Sequence, residues 1–254
     1  MGHVLVERLS VEQALVSSDA RDRWPFTVPC IAALAREGLE LTRPVTFLVG
    51  ENGSGKSTVV EAVAEAFGLD ARGGRAGRKY GNAREKTPLG EVMRLGLTRE
   101  GARMRGGPRS RRRGYFLRAE TTFGFAEAVS GRYGYWQEDL SQRSHGEGFL
   151  MIFESMFREP GLYLMDEPEA ALSFTSCLQL VALMHHLGEG GAQVICATHS
   201  PILAATPGAD IVEVGDHGFR HVKWDQLGLV DHWRRYLNNP AAYLRRLIEP
   251  ADQR

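Results

Sequence analysis

Gly50-Glu51-Asn52-Gly53-Ser54-Gly55-Lys56-Ser57 is the stretch that decides the fold. It satisfies GxxxxGK[ST] at every defined position, and Thr58 follows. Upstream, Leu39 to Val49 is rich in β-branched and aromatic residues and reads as a strand entering the Gly-rich turn. Downstream, Val59, Val60, Val63, Ala64 and Phe67 recur at helical spacing, which predicts a helix over Lys56 to Phe67 stopped by Gly68. Strand, Gly-rich loop and helix in this order let a backbone wrap a phosphate. The glycines allow N–H groups to turn inward, the helix N-terminus adds partial positive charge, Lys56 reaches the β- and γ-phosphates, and Ser57 offers Mg²⁺ a hydroxyl. The expected nucleotide-binding set is Gly50, Glu51, Asn52, Gly53, Ser54, Gly55, Lys56, Ser57 and Thr58.

Two apolar strands further along end in reactive side chains. Leu162-Tyr163-Leu164-Met165 runs into Asp166-Glu167: the first acid is placed to hold the metal with Ser57, the second to polarise an attacking water. Gln193 to Thr198 runs into His199-Ser200-Pro201. If these strands share one parallel sheet with Val45 to Val49, their carboxyl ends face one crevice. Further strands are read at His3 to Leu9, Val92 to Arg99, Tyr115 to Arg118 and Ile211 to Val214, with helices at Phe149 to Phe157 and Cys177 to Leu187. This alternation predicts an α/β fold: a mainly parallel sheet with helices on both faces, plus a smaller antiparallel lobe.

The 254 residues are read as a single domain, with a C-terminal helical tail at about 225–249 broken at Asn239-Pro240. The 31 basic and 31 acidic residues balance, so total charge points to no partner. The distribution is uneven: Asp70 to Tyr115 carries 14 Lys/Arg and 4 Asp/Glu, marking a basic Gly/Arg-rich insertion at about 70–114, read as mostly mobile. Two readings fit its residues between 72 and 113: a backbone-directed nucleic-acid surface, or a solvated loop. Cys30, Cys177 and Cys196 are odd in number and widely spaced, which offers neither a disulfide framework nor a CxxC metal site. No apolar run approaches the length of a membrane span and the N-terminus lacks a signal-peptide pattern, so a cytoplasmic protein is the default expectation.

Gly50 to Thr58, Asp166-Glu167-Pro168-Glu169-Ala170-Ala171-Leu172 and Thr198-His199-Ser200-Pro201 together resemble the Walker A, Walker B plus D-loop, and H-loop motifs of ABC-type ATPases. The similarity runs from about Val45 to Val214 and is greatest to the soluble branch containing SMC, RecF and OLD-type proteins and small stand-alone ATPases. The resemblance implies ATP and Mg²⁺ as ligands, with Lys56, Glu167 and His199 catalytic and Ser57 and Asp166 on the metal. It also implies a head-to-tail homodimer on ATP binding, each nucleotide lying between one copy's loop and the other's signature motif. Ser144-His145-Gly146-Glu147-Gly148 is the candidate signature, with Ser144 and Gly146 the residues that meet ATP; His145 and Glu147 stand where Gly and Gln are usual. Ser173 replaces the Asp of many D-loops. Glu120 occupies the place of a Gln that contacts Mg²⁺, or is a solvent-exposed strand-end acid. Trp24 is either an adenine platform or a core residue, the latter being favoured.

Only 23 residues separate Glu120 from Ser144, too few for the helical subdomain of transporter ATPases or for coiled-coil arms. The expectation is an ATPase head whose nucleotide state sets a conformational switch in a nucleic-acid-associated process such as repair or defence. The alternative is a regulatory switch acting on a protein partner; a transporter subunit ranks third.

Overall fold

The computed structural model describes residues 4–71, 73–75, 85–107, 113–118 and 160–248. In chain order the elements are β1 (Val6–Val11), α1 (Ser18–Arg21), α2 (Pro29–Glu37), β2 (Leu39–Glu40), β3 (Val45–Val49) and α3 (Lys56–Phe67). They continue with β4 (Gly74–Arg75), α4 (Pro88–Val92), β5 (Met93–Leu97), α5 (Arg99–Gly106), β6 (Gly114–Arg118) and β7 (Leu162–Asp166). The last are α6 (Phe174–Glu189), β8 (Gln193–Thr198), β9 (Asp210–Gly215), β10 (Gly218–His221), α7 (Gly228–Asn238) and α8 (Pro240–Ile248).

Seven strands form one sheet in the order β10-β9-β3-β8-β7-β6-β4. The pairs from β9 through β6 are parallel, and β10 and β4 add antiparallel edges. All five residues of β3, Val-Thr-Phe-Leu-Val, are buried because the strand is flanked on both sides and covered on both faces. Alternation along it feeds two cores. Leu48 packs with α2 and α3 residues such as Ile31, Val59, Val63 and Phe67, whereas Val45, Phe47 and Val49 pack with Cys177, Leu180 and Met184 of α6. A separate antiparallel sheet, β2-β1-β5, lies over the first of these cores.

Two elements differ from the sequence reading. Leu39 to Val49 is not one strand: β2 belongs to the small sheet and β3 to the large one. Pro44, between them, has no N–H to offer a ladder, though its carbonyl accepts from Val194 N at 2.7 Å. The stretch from 85 to 107, expected to hold one strand near Val92 to Arg99 and otherwise to be mobile, has that strand as β5 and also holds α4 and α5. Thr87 and Thr98 start those helices by accepting from Gly90 N and Gly101 N, each at 3.1 Å. The Glu65 carboxylate on α3 accepts from both Thr87 N and Thr87 Oγ1, tying the segment to the main body. Among the described residues, no helix is long and apolar enough to cross a membrane.

Candidate nucleotide site

β3 delivers the chain to Gly50, where a Cβ would stand 2.2 Å from the Val214 carbonyl; only glycine lets the loop leave the sheet this close to β9. Gly55 turns the loop into α3 in the left-handed region at φ 97°. A Cβ there would meet Cys30 Sγ at 2.6 Å, so α2 forms the floor of the loop. The Cys30 thiol donates to Ser54 O at 2.9 Å, and burial pushes its pKa up to about 11 against the opposing pull of Lys56. No motif pointed to Cys30, because its relation to the loop crosses 24 residues of sequence.

Lys56, although it starts its helix, is only 3% exposed. Its Nζ folds back to donate to Glu51 O at 2.7 Å, inside the arch of its own loop. Burial lowers the Lys56 pKa, and the carboxylates of Glu167, Asp166 and Glu169 oppose that shift. An ammonium parked on a neutral carbonyl, with three carboxylates nearby, is poised to exchange that acceptor for a charged one.

The parallel registers bring the reactive strand ends together. Val49 lies opposite Thr198, and Ala197 opposite Asp166. The next residues along, Gly50, His199 and Glu167, therefore emerge at one edge of the sheet, as the sequence anticipated. Burial raises the Asp166 pKa, against a hydrogen bond from Ser57 and the charge of Arg118, whose Nε lies 3.9 Å from Oδ2. Glu167 leaves the strand at φ 50° and ψ 51°, left-handed, with its N–H donating to Ala197 O at 2.9 Å. Its Oε1 lies 3.4 Å from His199 Nδ1.

Several polar atoms here face inward without protein partners: Asp166 Oδ1 and Ser54 Oγ are both buried and unpaired. Buried polar atoms normally find partners, so a cluster of unmatched ones beside a phosphate-type loop fits a site that a ligand completes. The donor set suits Mg²⁺ held with a substrate phosphate. Among the described residues no group of three or more His, Cys, Asp or Glu forms a cage, and Mg²⁺ is usually held by one or two carboxylates plus phosphate oxygens and waters.

Glu169 carried no assigned task in the sequence reading, yet its Oε1 accepts from Thr198 Oγ1 and, at 2.9 Å, from His199 N. Ser144, Gly146 and Glu120 lie outside the described residues, as do half of the basic positions between Asp70 and Tyr115, Arg72, Arg78, Lys79, Arg109, Arg111 and Arg112 among them. Trp24, favoured as a core residue, is instead 63% exposed.

Residues 32–105 match the family model described as an AAA domain, a span that includes the whole loop and α3. With the loop set between parallel strands β9 and β8, and acids at the end of β7, the architecture is decided. By fold the chain is an α/β protein with a phosphate-binding type of loop set in a mainly parallel sheet. Similar solved structures include the ATP binding subunit of an ABC transporter, at 18% identity and TM-score 0.49, covering 97% of this chain and 100% of that one. Another is cbiO1 from Clostridium perfringens, described as part of the ABC transporter complex cbiONQ, at 14% identity and TM-score 0.42, covering 83% and 90%. Within this α/β fold the crevice at the carboxyl ends of β3, β8 and β7 is where the parallel-sheet rule places a ligand.

Proposed function

We propose that the protein binds Mg²⁺-ATP in this crevice and hydrolyses it. The observation that carries the reading is the register of β3, β8 and β7, which sets the 50–58 loop, His199 and the Asp166-Glu167 pair side by side. The loop N–H groups and Lys56 hold the phosphates, Lys56 exchanging Glu51 O for a phosphate oxygen. Ser57 and Asp166 hold Mg²⁺, which when bound offsets negative charge on the transferring phosphoryl group. Glu167 orients a water and takes its proton on the carboxylate, and His199 contacts the γ-phosphate.

In the same reading two copies close head to tail around ATP, each completing the other's site with Ser144 and Gly146. Phe174 is 66% exposed and Leu178 48% exposed just beyond the Glu167 turn, apolar surface that a second copy would cover. Closing and opening then act as a switch in a nucleic-acid-associated process, supported by the excess of positive charge between Asp70 and Tyr115. A protein partner is the second reading, favoured by Trp233 at 45% and Leu237 at 67% exposure on α7.

Phosphate release from Mg²⁺-ATP, run beside light scattering on a sizing column, tests the proposal. Wild type should turn ATP over. Glu167→Gln should still bind ATP, lose roughly 10²- to 10⁴-fold in turnover, and accumulate as dimer. Asp166→Asn should weaken Mg²⁺-nucleotide binding as well. Normal hydrolysis by Glu167→Gln would remove the proposed base, and tight ATP binding by a lasting monomer would remove the shared site.

A further inference from the structure

The carboxylate of Glu169 is only 9% exposed and sits on the turn that directly follows the proposed base. Its Oε1 collects two donors from the end of β8, the Thr198 hydroxyl and the His199 N–H. Thr198 Oγ1 in turn accepts from Ser200 N at 3.0 Å, so one carboxylate oxygen organises three consecutive residues of the histidine loop. The imidazole itself lies between two acids from the same turn. Glu167 Oε1 is 3.4 Å from Nδ1, and Glu169 Oε1 is 4.0 Å from Nε2. The other oxygen, Glu169 Oε2, is buried and has no partner.

A residue needed only to fasten two loops would satisfy both of its oxygens or be a neutral amide. A buried carboxyl group with one oxygen bonded twice and the other unmatched is not a mere fastening, since buried polar atoms normally find partners. The arrangement also joins the turn carrying Glu167 to the strand end carrying His199 across 30 residues of sequence. A shift of either loop is thus transmitted to the other.

We propose that Glu169 is a positioning residue: it sets the backbone of Thr198 and His199 and holds the imidazole in register with Glu167, so that the water-activating and phosphate-contacting groups move as one unit. The inference rests on the ATP-hydrolysis reading, since His199 needs a phosphate to contact. Glu169 touches neither substrate nor the transferring group; it acts through His199.

The first measurement needs no nucleotide. In ¹⁵N-histidine-labelled protein, His199 ring signals, assigned by their loss in His199→Ala, should be sharp in wild type and broadened or shifted in Glu169→Gln and Glu169→Ala. Identical His199 spectra in wild type and both variants would overturn the coupling, whatever the ATPase result. The second is steady-state hydrolysis. Glu169→Gln keeps a carbonyl oxygen for the two donors and removes the charge, so it guards against a Glu169→Ala protein that fails to fold. It should leave KM for ATP within about twofold and lower kcat by roughly 10- to 100-fold, the scale of a misplaced catalytic group. In a His199→Ala background the same change should lower kcat no further, because residues acting through one another are non-additive. Multiplicative losses, or an unchanged kcat in Glu169→Gln, would overturn the assignment. Absence of ATP turnover in wild type with coupled His199 spectra would instead fault the ATP-hydrolysis reading.

Discussion

Glu167 is the only non-glycine residue with positive φ among the described residues, and it is also the proposed base. Left-handed backbone at a residue with a Cβ costs of order 1 kcal/mol, and such strain collects at functional sites. Glu167→Gly should therefore raise the thermal midpoint of the nucleotide-free protein while abolishing turnover; Glu167→Ala, which keeps the strain, should not. Calorimetry on both variants checks this, and equal midpoints would show that the turn relaxes elsewhere. Asp166 gives a test in pH. Burial raises its pKa from 3.8 despite the Ser57 hydrogen bond and Arg118. A carboxyl whose folded pKa lies above its unfolded one binds protons more readily when folded, so its contribution to stability is present at low pH and lost as pH rises through the folded value. In metal-free buffer, Asp166→Asn should gain stability relative to wild type on going from about pH 4 toward neutrality. Denaturant melts across that range decide it, and a difference that is flat in pH would sink the account.

At the scale of elements, the start of α7 depends on one acid. Glu213 on β9 accepts from Gly228 N at 2.9 Å and pairs with Arg220 on β10. Burial would raise its pKa, but the Gly228 bond and Arg220 outweigh that and leave it lowered from 4.5. Its contribution is accordingly present above 4.5 and lost as pH falls through the folded value. Glu213→Gln should cost about 1 kcal/mol at pH 7, discounted because Arg220 is largely exposed, and nothing at acid pH. Hydrogen exchange at the first amides of α7 is the direct readout. The bounds of α3 and β8 were legible in sequence, since Gly55 and Gly68 punctuate the helix and Val194 to Ala197 form an apolar run inside β8. The small sheet was legible only in part. α4 and α5 were hidden because their caps, Thr87 and Thr98, sit in a Gly/Arg-rich stretch, and because Glu65, which fastens Thr87, lies 22 residues away. The reactive strand ends could be read from motifs, as each motif is local. Cys30 and Glu169 could not, since what makes them matter is a partner brought close only by the fold.

At the scale of the whole molecule, one buried side chain joins the two sheets. Gln193, fully buried at the start of β8, accepts through Oε1 from Leu5 N at 2.9 Å and Val6 N at 2.8 Å, and donates through Nε2 to Val6 O at 2.8 Å. The amide thus serves as a one-residue strand beside the N-terminus. Gln193→Leu keeps the volume but leaves two donors and an acceptor unmatched, which should cost about 3 kcal/mol. At roughly 2–4 °C per kcal/mol for a chain of this size, the midpoint should fall by about 6–12 °C. A loss below about 1 kcal/mol would mean that water reaches Leu5 and Val6 in the variant. The same amide bears on synthesis of the chain. Leu5 and Gln193 are 188 residues apart, and at about 5–20 residues per second a ribosome needs roughly 10 to 40 s to make the second after the first. For that interval β2 and β5 can already flank β1, but the Leu5 and Val6 backbone groups have no Gln193 to pair with, and a ribosome halted before codon 193 releases a chain in which they stay unmatched.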